Sequence, residues 1–192
     1  GPQRPPIVLL ENVPGLLSSN RGADLNAILM NLNLLGYCVD LFDLDAIHFV
    51  PQSRPRLFIV GLQKELLVQG NEAYSGQYAQ VLRSAKVAAF ITKHPGITWR
   101  LQPLPVPPQR HIWLGDMLEA LEHTDAEWWS TERADYLLSQ MSLRHRRVAE
   151  DMIQREHWSY GTVFRRMRNG KSMAELRCDG IAGCLRTPRG GS

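Results

Sequence analysis

Five polar side chains of this sequence could do chemistry, and they come in two groups: Glu11 and Asn12, then Gln52, Arg54 and Arg56 about 40 residues later. A carboxylate can donate or accept a proton, and a guanidinium can stabilise a developing negative charge or bind a phosphate. Taken singly, Glu11 could instead cap a turn, and the two arginines could form surface ion pairs. The chemical interpretation therefore depends on the whole set and its spacing.

The first group lies at the end of a predicted strand. Residues 7–10 (IVLL) are a short apolar run with β-branched residues at its start, which predicts a strand buried on both faces. Pro14-Gly15 is a turn signal, so Glu11 and Asn12 fall at the carboxyl end of that strand. Ligands of open α/β sheets bind at this edge.

The elements between the two groups predict an α/β fold. Apolar residues at helical spacing from Leu25 to Leu35 predict a helix that ends at Gly36. Residues 37–44 and 56–62 read as strands. The order strand, helix, strand, loop, strand is half of a doubly wound domain, and we predict a partial sheet of that kind.

The remainder of the chain predicts a smaller mixed α+β lobe. A helix is predicted within 78–91, a proline-rich connector at 103–108 and a short amphipathic helix at 115–122. A longer helix begins at Ser130 or Thr131 and continues past a break at Ser142. Residues 162–168 and 174–178 flank an Asn-Gly dipeptide and predict a hairpin.

Two segments, PIVLLENVPGLL and FVPQSRPRLFIVG, closely resemble two blocks of the DNA (cytosine-5) methyltransferases, with their ENV triplet and QxRxR pattern. The resemblance implies a Rossmann-like methyltransferase sheet. It also implies that the Glu11 carboxyl contacts cytosine N3 and the N4 amine, while Asn12 holds the pocket backbone. By the same resemblance Arg56 contacts cytosine O2, Arg54 contacts a phosphate near the flipped nucleotide, and Gln52 braces the loop.

The same resemblance implies a division into three parts: 1–62 as the C-terminal half of the catalytic domain, 63–177 as the target-recognition region, and 178–192 as the block returning to the catalytic domain. The family's glycine-rich loop for S-adenosylmethionine and its PCQ nucleophile precede ENV, and this sequence contains neither. We therefore expect this segment alone to be inactive and to need the missing N-terminal half.

The three cysteines are widely spaced and form no CxxC pair, so neither structural zinc nor a disulfide framework is expected. Cys38 reads as a core thiol, and Cys178 and Cys184 lie outside any Pro-Cys-Gln context. A reduced, cytoplasmic setting fits this usage best. No stretch is apolar enough for a membrane span.

Positive charge is concentrated toward the end of the chain. From Ser142 onward there are eleven Arg or Lys and five Asp or Glu, although the whole sequence has a net charge of only +3. This imbalance suggests a polyanionic partner, and a solvated surface is the alternative. Six residues of the basic region are candidates for contacting DNA: Arg165, Arg166, Arg168, Arg186, Thr187 and Arg189. Strand alternation makes Arg166 and Arg168 the better DNA-facing pair of the hairpin.

We therefore expect part of an enzyme that methylates C5 of a flipped-out cytosine in double-stranded DNA with S-adenosylmethionine, from a bacterial or phage restriction-modification system. The alternative is a non-catalytic DNA-binding or regulatory subunit of a split methyltransferase, which would need a complementary chain.

Overall fold

The structure, a computed structural model, describes residues 4–66 and 81–185. The chain divides into two compact units. The first unit comprises Gly1–Asp45 and Pro55–Pro108, and the second comprises Ala46–Arg54 and Gln109–Ser192. Each unit has a hydrophobic cluster of its own.

The first unit contains a three-stranded antiparallel sheet. Its elements in chain order are β1 (Ile7–Asn12), α1 (Ala23–Leu34), β2 (Tyr37–Asp45) and β3 (Pro55–Gln63). The strand order is β1-β3-β2, and β3 pairs antiparallel with both neighbours. The three strands and the helix between the first two were all predicted, with boundaries that shift by one or two residues.

The fold is mixed α/β, but the predicted doubly wound parallel sheet is not seen among the described strands. A parallel neighbour requires a crossover of a dozen or more residues, usually through a helix. Only residues 46–54 connect β2 to β3, so these two strands form an antiparallel pair instead. The helical crossover lies between β1 and β2, which consequently run parallel to each other on the two sides of β3.

Strand β1 differs from its prediction because it is not buried on both faces. Ile7 and Leu9 are exposed, whereas Val8 packs against the core cluster. Among the described strands β1 has one neighbour, β3, and the core lies against only one face of this pair. The apolar run at 7–10 therefore predicted a strand correctly, but the prediction that both faces of this strand are buried was wrong.

The core of the first unit lies between the sheet and two helices. Leu57 and Ile59 of β3 pack with Leu25 and Leu29 of α1, and all four are buried. The helix α2 (Ala85–Lys93) adds further apolar side chains to the same cluster. Helix α1 ends before Gly36, whose φ of +87° lies in the left-handed region that glycine adopts at low energy.

Residues 81–108 are part of the first unit rather than of a separate lobe. The backbone of Val39 accepts a hydrogen bond from Arg100 (2.8 Å) and donates one to Thr98 (3.0 Å). In addition, the fully buried guanidinium of Arg83 pairs with the buried carboxylate of Asp40. These contacts attach the segment to the edge of the sheet that β2 forms.

The second unit contains two capped helices and a hairpin. Helices α3 (Thr131–Ser139) and α4 (Leu143–Ile153) begin after Ser130 and Ser142, whose side chains accept hydrogen bonds from the first helical turn. The cap at Ser130 and the break at Ser142 were predicted, but the chain forms two separate helices there, and Ser142 caps the second. The helix predicted at 115–122 is wrong, because only Leu114–Met117 form a single 3-10 turn.

The predicted hairpin is confirmed as β4 (Thr162–Arg168) and β5 (Lys171–Arg177). Asn169 and Gly170 both have positive φ, 49° and 76°, as a two-residue hairpin turn of this type requires. The short linker between α3 and α4 runs beside β5, where Met141 forms an isolated bridge with Ala174. The small core of this unit lies between these elements.

Candidate functional site

The structure brings Glu11 and Arg56 together. Arg56 Nε lies 2.5 Å from Glu11 Oε1, so the last residues of β1 and the first residues of β3 contribute one acidic and one basic group to a single place. The arginine side chain is only 16% exposed, whereas the glutamate side chain is 51% exposed. A largely buried guanidinium thus holds a carboxylate that solvent or a ligand can still reach.

The strand register accounts for this pairing. Glu11 lies opposite Phe58, and Arg56 precedes Phe58 by two residues, so all three side chains lie on the same face of the sheet. The carbonyl of Pro55 accepts a hydrogen bond from Arg56 Nη1 (2.8 Å) and helps to fix the guanidinium. The Asn12 side chain is directed elsewhere: Oδ1 accepts a hydrogen bond from the backbone of Val13 (2.8 Å) and orders the turn after β1.

The loop that carries Gln52 and Arg54 belongs to the second unit, where the segment around Ala182 holds it. Gln52 and Ala182 form a parallel β-bridge. The Ala182 backbone accepts from Ser53 N (2.9 Å), and its own N–H donates to the carbonyl of Pro51 (2.7 Å). Arg54 Nη1 lies 3.3 Å from the sulfur of Cys184. A segment about 130 residues downstream therefore fixes the backbone of this loop.

The outer face of the hairpin carries Arg166 and Arg168, together with one carboxylate that the sequence prediction did not include. Glu175 Oε1 lies 2.8 Å from Arg168 Nε, and Oε2 lies 3.8 Å from Arg166 Nε. The hydrogen bond from Arg168 holds the pKa of Glu175 below its ordinary value against the opposing effect of burial, and the charges of both arginines act in the same direction as the bond.

The remaining candidates are distributed differently. Arg165 lies on the opposite face of β4, across from the buried Ala174, and its Nη1 lies 2.5 Å from Gln140 Oε1. The two faces of the strand thus separate as predicted. Arg186, Thr187 and Arg189 lie outside the described residues.

Glu175 could have been found from the sequence. The Asn169-Gly170 turn fixes the hairpin register, which pairs Arg168 with Lys171, Arg166 with Met173 and Phe164 with Glu175. Counting four pairs along the strands from the Arg168–Lys171 pair places the carboxylate of Glu175 on the same face as the two arginines. Arg83 gave no comparable signal, because its partner Asp40 is distant in sequence and belongs to a different element.

The described residues contain three free cysteines, of which Cys38 is buried, as predicted, and Cys178 and Cys184 are exposed. In these ranges, no group of three or more His, Cys, Asp or Glu side chains is arranged to hold a metal ion. Within the same ranges, no helix is both long and apolar enough to cross a membrane.

Comparison with known protein families identifies the family to which these side chains belong. A family model described as C-5 cytosine-specific DNA methylase matches residues 2–175, which is most of the chain. The chain belongs to this family. The matched range contains Glu11, Arg56 and the arginine face of the hairpin, and the ENV and QxRxR resemblance seen in the sequence is thereby confirmed as family membership.

Individual relatives align with this chain over shorter stretches. The orphan methyltransferase M.SPBetaI of Bacillus phage SPbeta is 41% identical over 66 residues, which cover 34% of this chain and 15% of that protein. The type II methyltransferase M.BsuFI of Bacillus subtilis is 45% identical over 65 residues, or 33% and 16% of the two chains. The type II methyltransferase M.MspI of Moraxella sp is 42% identical over 59 residues, or 30% and 14%.

These alignments span about a sixth of each of these curated relatives. These relatives are named as an orphan phage methyltransferase and as type II methyltransferases.

Proposed function

We propose that this chain is the cytosine-binding and DNA-contacting part of a DNA (cytosine-5) methyltransferase, which transfers a methyl group from S-adenosylmethionine to C5 of a cytosine flipped out of duplex DNA. The observation that carries this proposal is the Glu11–Arg56 pair, formed by two motifs about 40 residues apart within a chain of the C-5 cytosine methylase family. Base flipping is included because C5 of a stacked, paired cytosine is inaccessible to an enclosed site.

In the proposed mechanism, Glu11 binds the pyrimidine edge. Attack of a nucleophile at C6 of cytosine moves negative charge onto N3 and O2 of the ring. A carboxyl group at N3 can donate its proton there, and its other oxygen can accept a hydrogen bond from the N4 amine. The proton transfer leaves a carboxylate beside Arg56, whose positive charge stabilises it.

Arg56 has two roles in this proposal. It fixes the orientation of the Glu11 carboxylate through Nε. In the proposed complex its guanidinium also stabilises the charge that develops on cytosine O2. Arg54 binds a phosphate near the flipped nucleotide, and its loop is suited to this because the bridge between Gln52 and Ala182 holds the backbone in place. Asn12 keeps the turn after β1 in shape.

The residues of this segment do not fit a complete site for S-adenosylmethionine. Nucleoside cofactors of doubly wound folds bind at a glycine-rich turn after a strand, and no two glycines of this sequence have the G-x-G spacing of such a turn. The turn after β1 instead begins with Val13 and Pro14. We therefore assign the cofactor and the nucleophile to another part of the enzyme, the N-terminal half or a complementary subunit.

The exposed edge of the first unit agrees with that division. β1 has one neighbour among the described strands and carries exposed apolar side chains, so we propose that it continues into a larger, doubly wound sheet. The second unit supplies the DNA contacts through the arginine face of its hairpin, with Arg186, Thr187 and Arg189 as further candidates for phosphate contact.

The test uses S-adenosylmethionine labelled in its methyl group and duplex DNA, with products identified as 5-methyldeoxycytidine after digestion to nucleosides. The 192-residue chain alone should transfer no methyl group. The complete protein that contains it, or the chain mixed with a segment that supplies a Pro-Cys-Gln nucleophile and a cofactor loop, should transfer methyl groups to cytosine. Turnover by the chain alone, or methylation of adenine or of cytosine N4, would contradict the proposal.

A further inference from the structure

Glu175 occupies an unusual position for a surface carboxylate. It lies on β5 opposite Phe164, and its side chain is only 13% exposed, although it belongs to the outer face of the hairpin. The two arginines beside it, Arg166 and Arg168, remain 56% and 57% exposed. A largely shielded anion is therefore enclosed between two accessible cations.

The contacts are made at one particular nitrogen of each arginine. Glu175 Oε1 is 2.8 Å from Nε of Arg168, and Oε2 is 3.8 Å from Nε of Arg166. The guanidinium carbon of Arg166 also lies 5.5 Å from the centre of the Phe164 ring. The hydrogen bond at Nε fixes the guanidinium plane of Arg168, so that its Nη edge, which can form two parallel hydrogen bonds, points away from Glu175. Arg166 is held more loosely, by the ion pair at 3.8 Å and by its position over the Phe164 ring.

This arrangement is ill-suited to a surface that attracts DNA by charge alone. Glu175 cancels one of the positive charges on the hairpin face and so weakens general attraction to phosphates. Phosphates accept hydrogen bonds from many directions and do not require a guanidinium of fixed plane. A guanine edge requires a guanidinium of fixed plane, because the O6 and N7 atoms of guanine lie side by side and are bound by two donors of one arginine.

We propose that Glu175 is a positioning residue that orients Arg166 and Arg168 to bind a guanine edge in the major groove of DNA, and that it thereby helps to set the sequence preference of the protein. This inference rests on the proposed function insofar as the ligand is duplex DNA. It goes beyond that function by naming the base that the hairpin recognises and the side chain that fixes the recognition geometry.

The sign of the effect of Glu175→Gln separates orientation from charge. This substitution adds one unit of positive charge to the hairpin face. If the arginines act only as charge, the variant binds every duplex more tightly, shows a steeper salt dependence and keeps the same sequence preference. If Glu175 orients them, the variant loses its preference at one or two guanine positions, by about tenfold at each affected position.

The experiment is the selection of bound duplexes from a randomised DNA pool by the complete protein, followed by sequencing. Selection needs no methyl transfer, so a failure of this inference is distinguishable from a failure of the proposed catalytic function. The wild-type protein should enrich a motif with at least one guanine whose enrichment falls in Glu175→Gln. Glu150→Gln serves as the matched control: it makes the same change of charge in an exposed ion pair of the same unit and should leave the motif intact.

Glu175→Asp keeps the charge but shortens the side chain by one methylene group, so it cannot reach both arginines as glutamate does. It should lose guanine enrichment with little change of salt dependence, and it provides the test if the glutamine variant fails to fold. The inference is overturned if the wild type enriches no guanine-containing motif, or if the folded Glu175 variants enrich the same motif as the wild type.

Discussion

Arg83 lies fully buried with its Nη2 atom 2.6 Å from Asp40 Oδ1 and 2.8 Å from Oδ2. The same guanidinium donates to the carbonyls of Gln102 (2.9 Å) and Leu41 (3.2 Å). The pair thus joins the start of the segment 81–108 to the middle of β2. Several hydrogen bonds therefore offset the loss of hydration of the two charges, as a buried ion pair requires.

Asp40→Asn should destabilise the protein strongly, because it leaves the Arg83 charge buried without a counter-ion. We expect a loss of about 3–5 kcal/mol in the free energy of unfolding, measured by urea denaturation. The double variant Asp40→Leu with Arg83→Met should recover much of this loss. As a control, Glu150→Gln removes the exposed pair with Arg146 and should change stability by about 0.5 kcal/mol or less. Equal effects of the two single substitutions would contradict the importance of burial.

Glu11→Gln should abolish most methyl transfer by the complete enzyme while DNA binding survives. The amide keeps the shape of the side chain but cannot give a proton to cytosine N3. The rate of the chemical step, measured in a single turnover, should fall on the order of 10²-fold or more. Glu65→Gln, a change at an exposed carboxylate of the same unit, should leave the rate unchanged. A loss of DNA affinity with intact turnover of bound DNA would argue against this role for Glu11.

Arg56→Lys should be nearly as harmful as Glu11→Gln, although it keeps the positive charge. A lysine ammonium cannot hold the Glu11 carboxylate through one nitrogen while donating to Pro55 and to a substrate oxygen through others. Because the two side chains act as one unit, their effects on the single-turnover rate should be far from additive. A double variant whose loss equals the product of the two single losses would show that the residues act independently.

The pairing of Glu175 should make the hairpin sensitive to acid. The hydrogen bond from Arg168 lowers the pKa of Glu175 in the folded protein, so the stabilisation is present above the unfolded-state pKa and is lost as the pH falls through the folded-state value. An NMR titration should find Glu175 ionised to a lower pH than an unperturbed glutamate. Arg168→Ala should raise the pKa, whereas Lys171→Ala, which removes a charge but no hydrogen bond to Glu175, should raise it less.

The sequence predicted best those features that depend on residues close together in the chain, such as strands, turns and helix caps. Glu11 lies near the end of one apolar strand, and Arg56 lies at the start of another. When these two strands pair antiparallel, the end of the first lies beside the start of the second, so a contact between the two side chains could be expected. The hairpin followed from the Asn169-Gly170 dipeptide, and α3 followed from its cap at Ser130, whereas Ser142 was predicted as a break within one helix and not as the cap of α4.

Features that depend on long-range packing were missed. The run at 7–10 reported a strand but could not show that β1 has only one described neighbour and an exposed face. The antiparallel order was missed although the short connection from β2 to β3 implied it. Arg83 and Asp40 are 43 positions apart and share no motif, so only the tertiary structure reveals their pairing.

Among the described residues, the hydrophobic cluster of the second unit is formed by side chains of α3, α4, the linker between them and β5, within residues 137–176. Contacts that are so close in sequence form early and need little loop closure. We therefore expect a stretch of about 40 residues to keep its packing when it is transferred to a related protein, and to carry its hairpin arginines and their carboxylate partner with it. Such a transfer should change the DNA sequence preference without altering the sheet that holds Glu11 and Arg56.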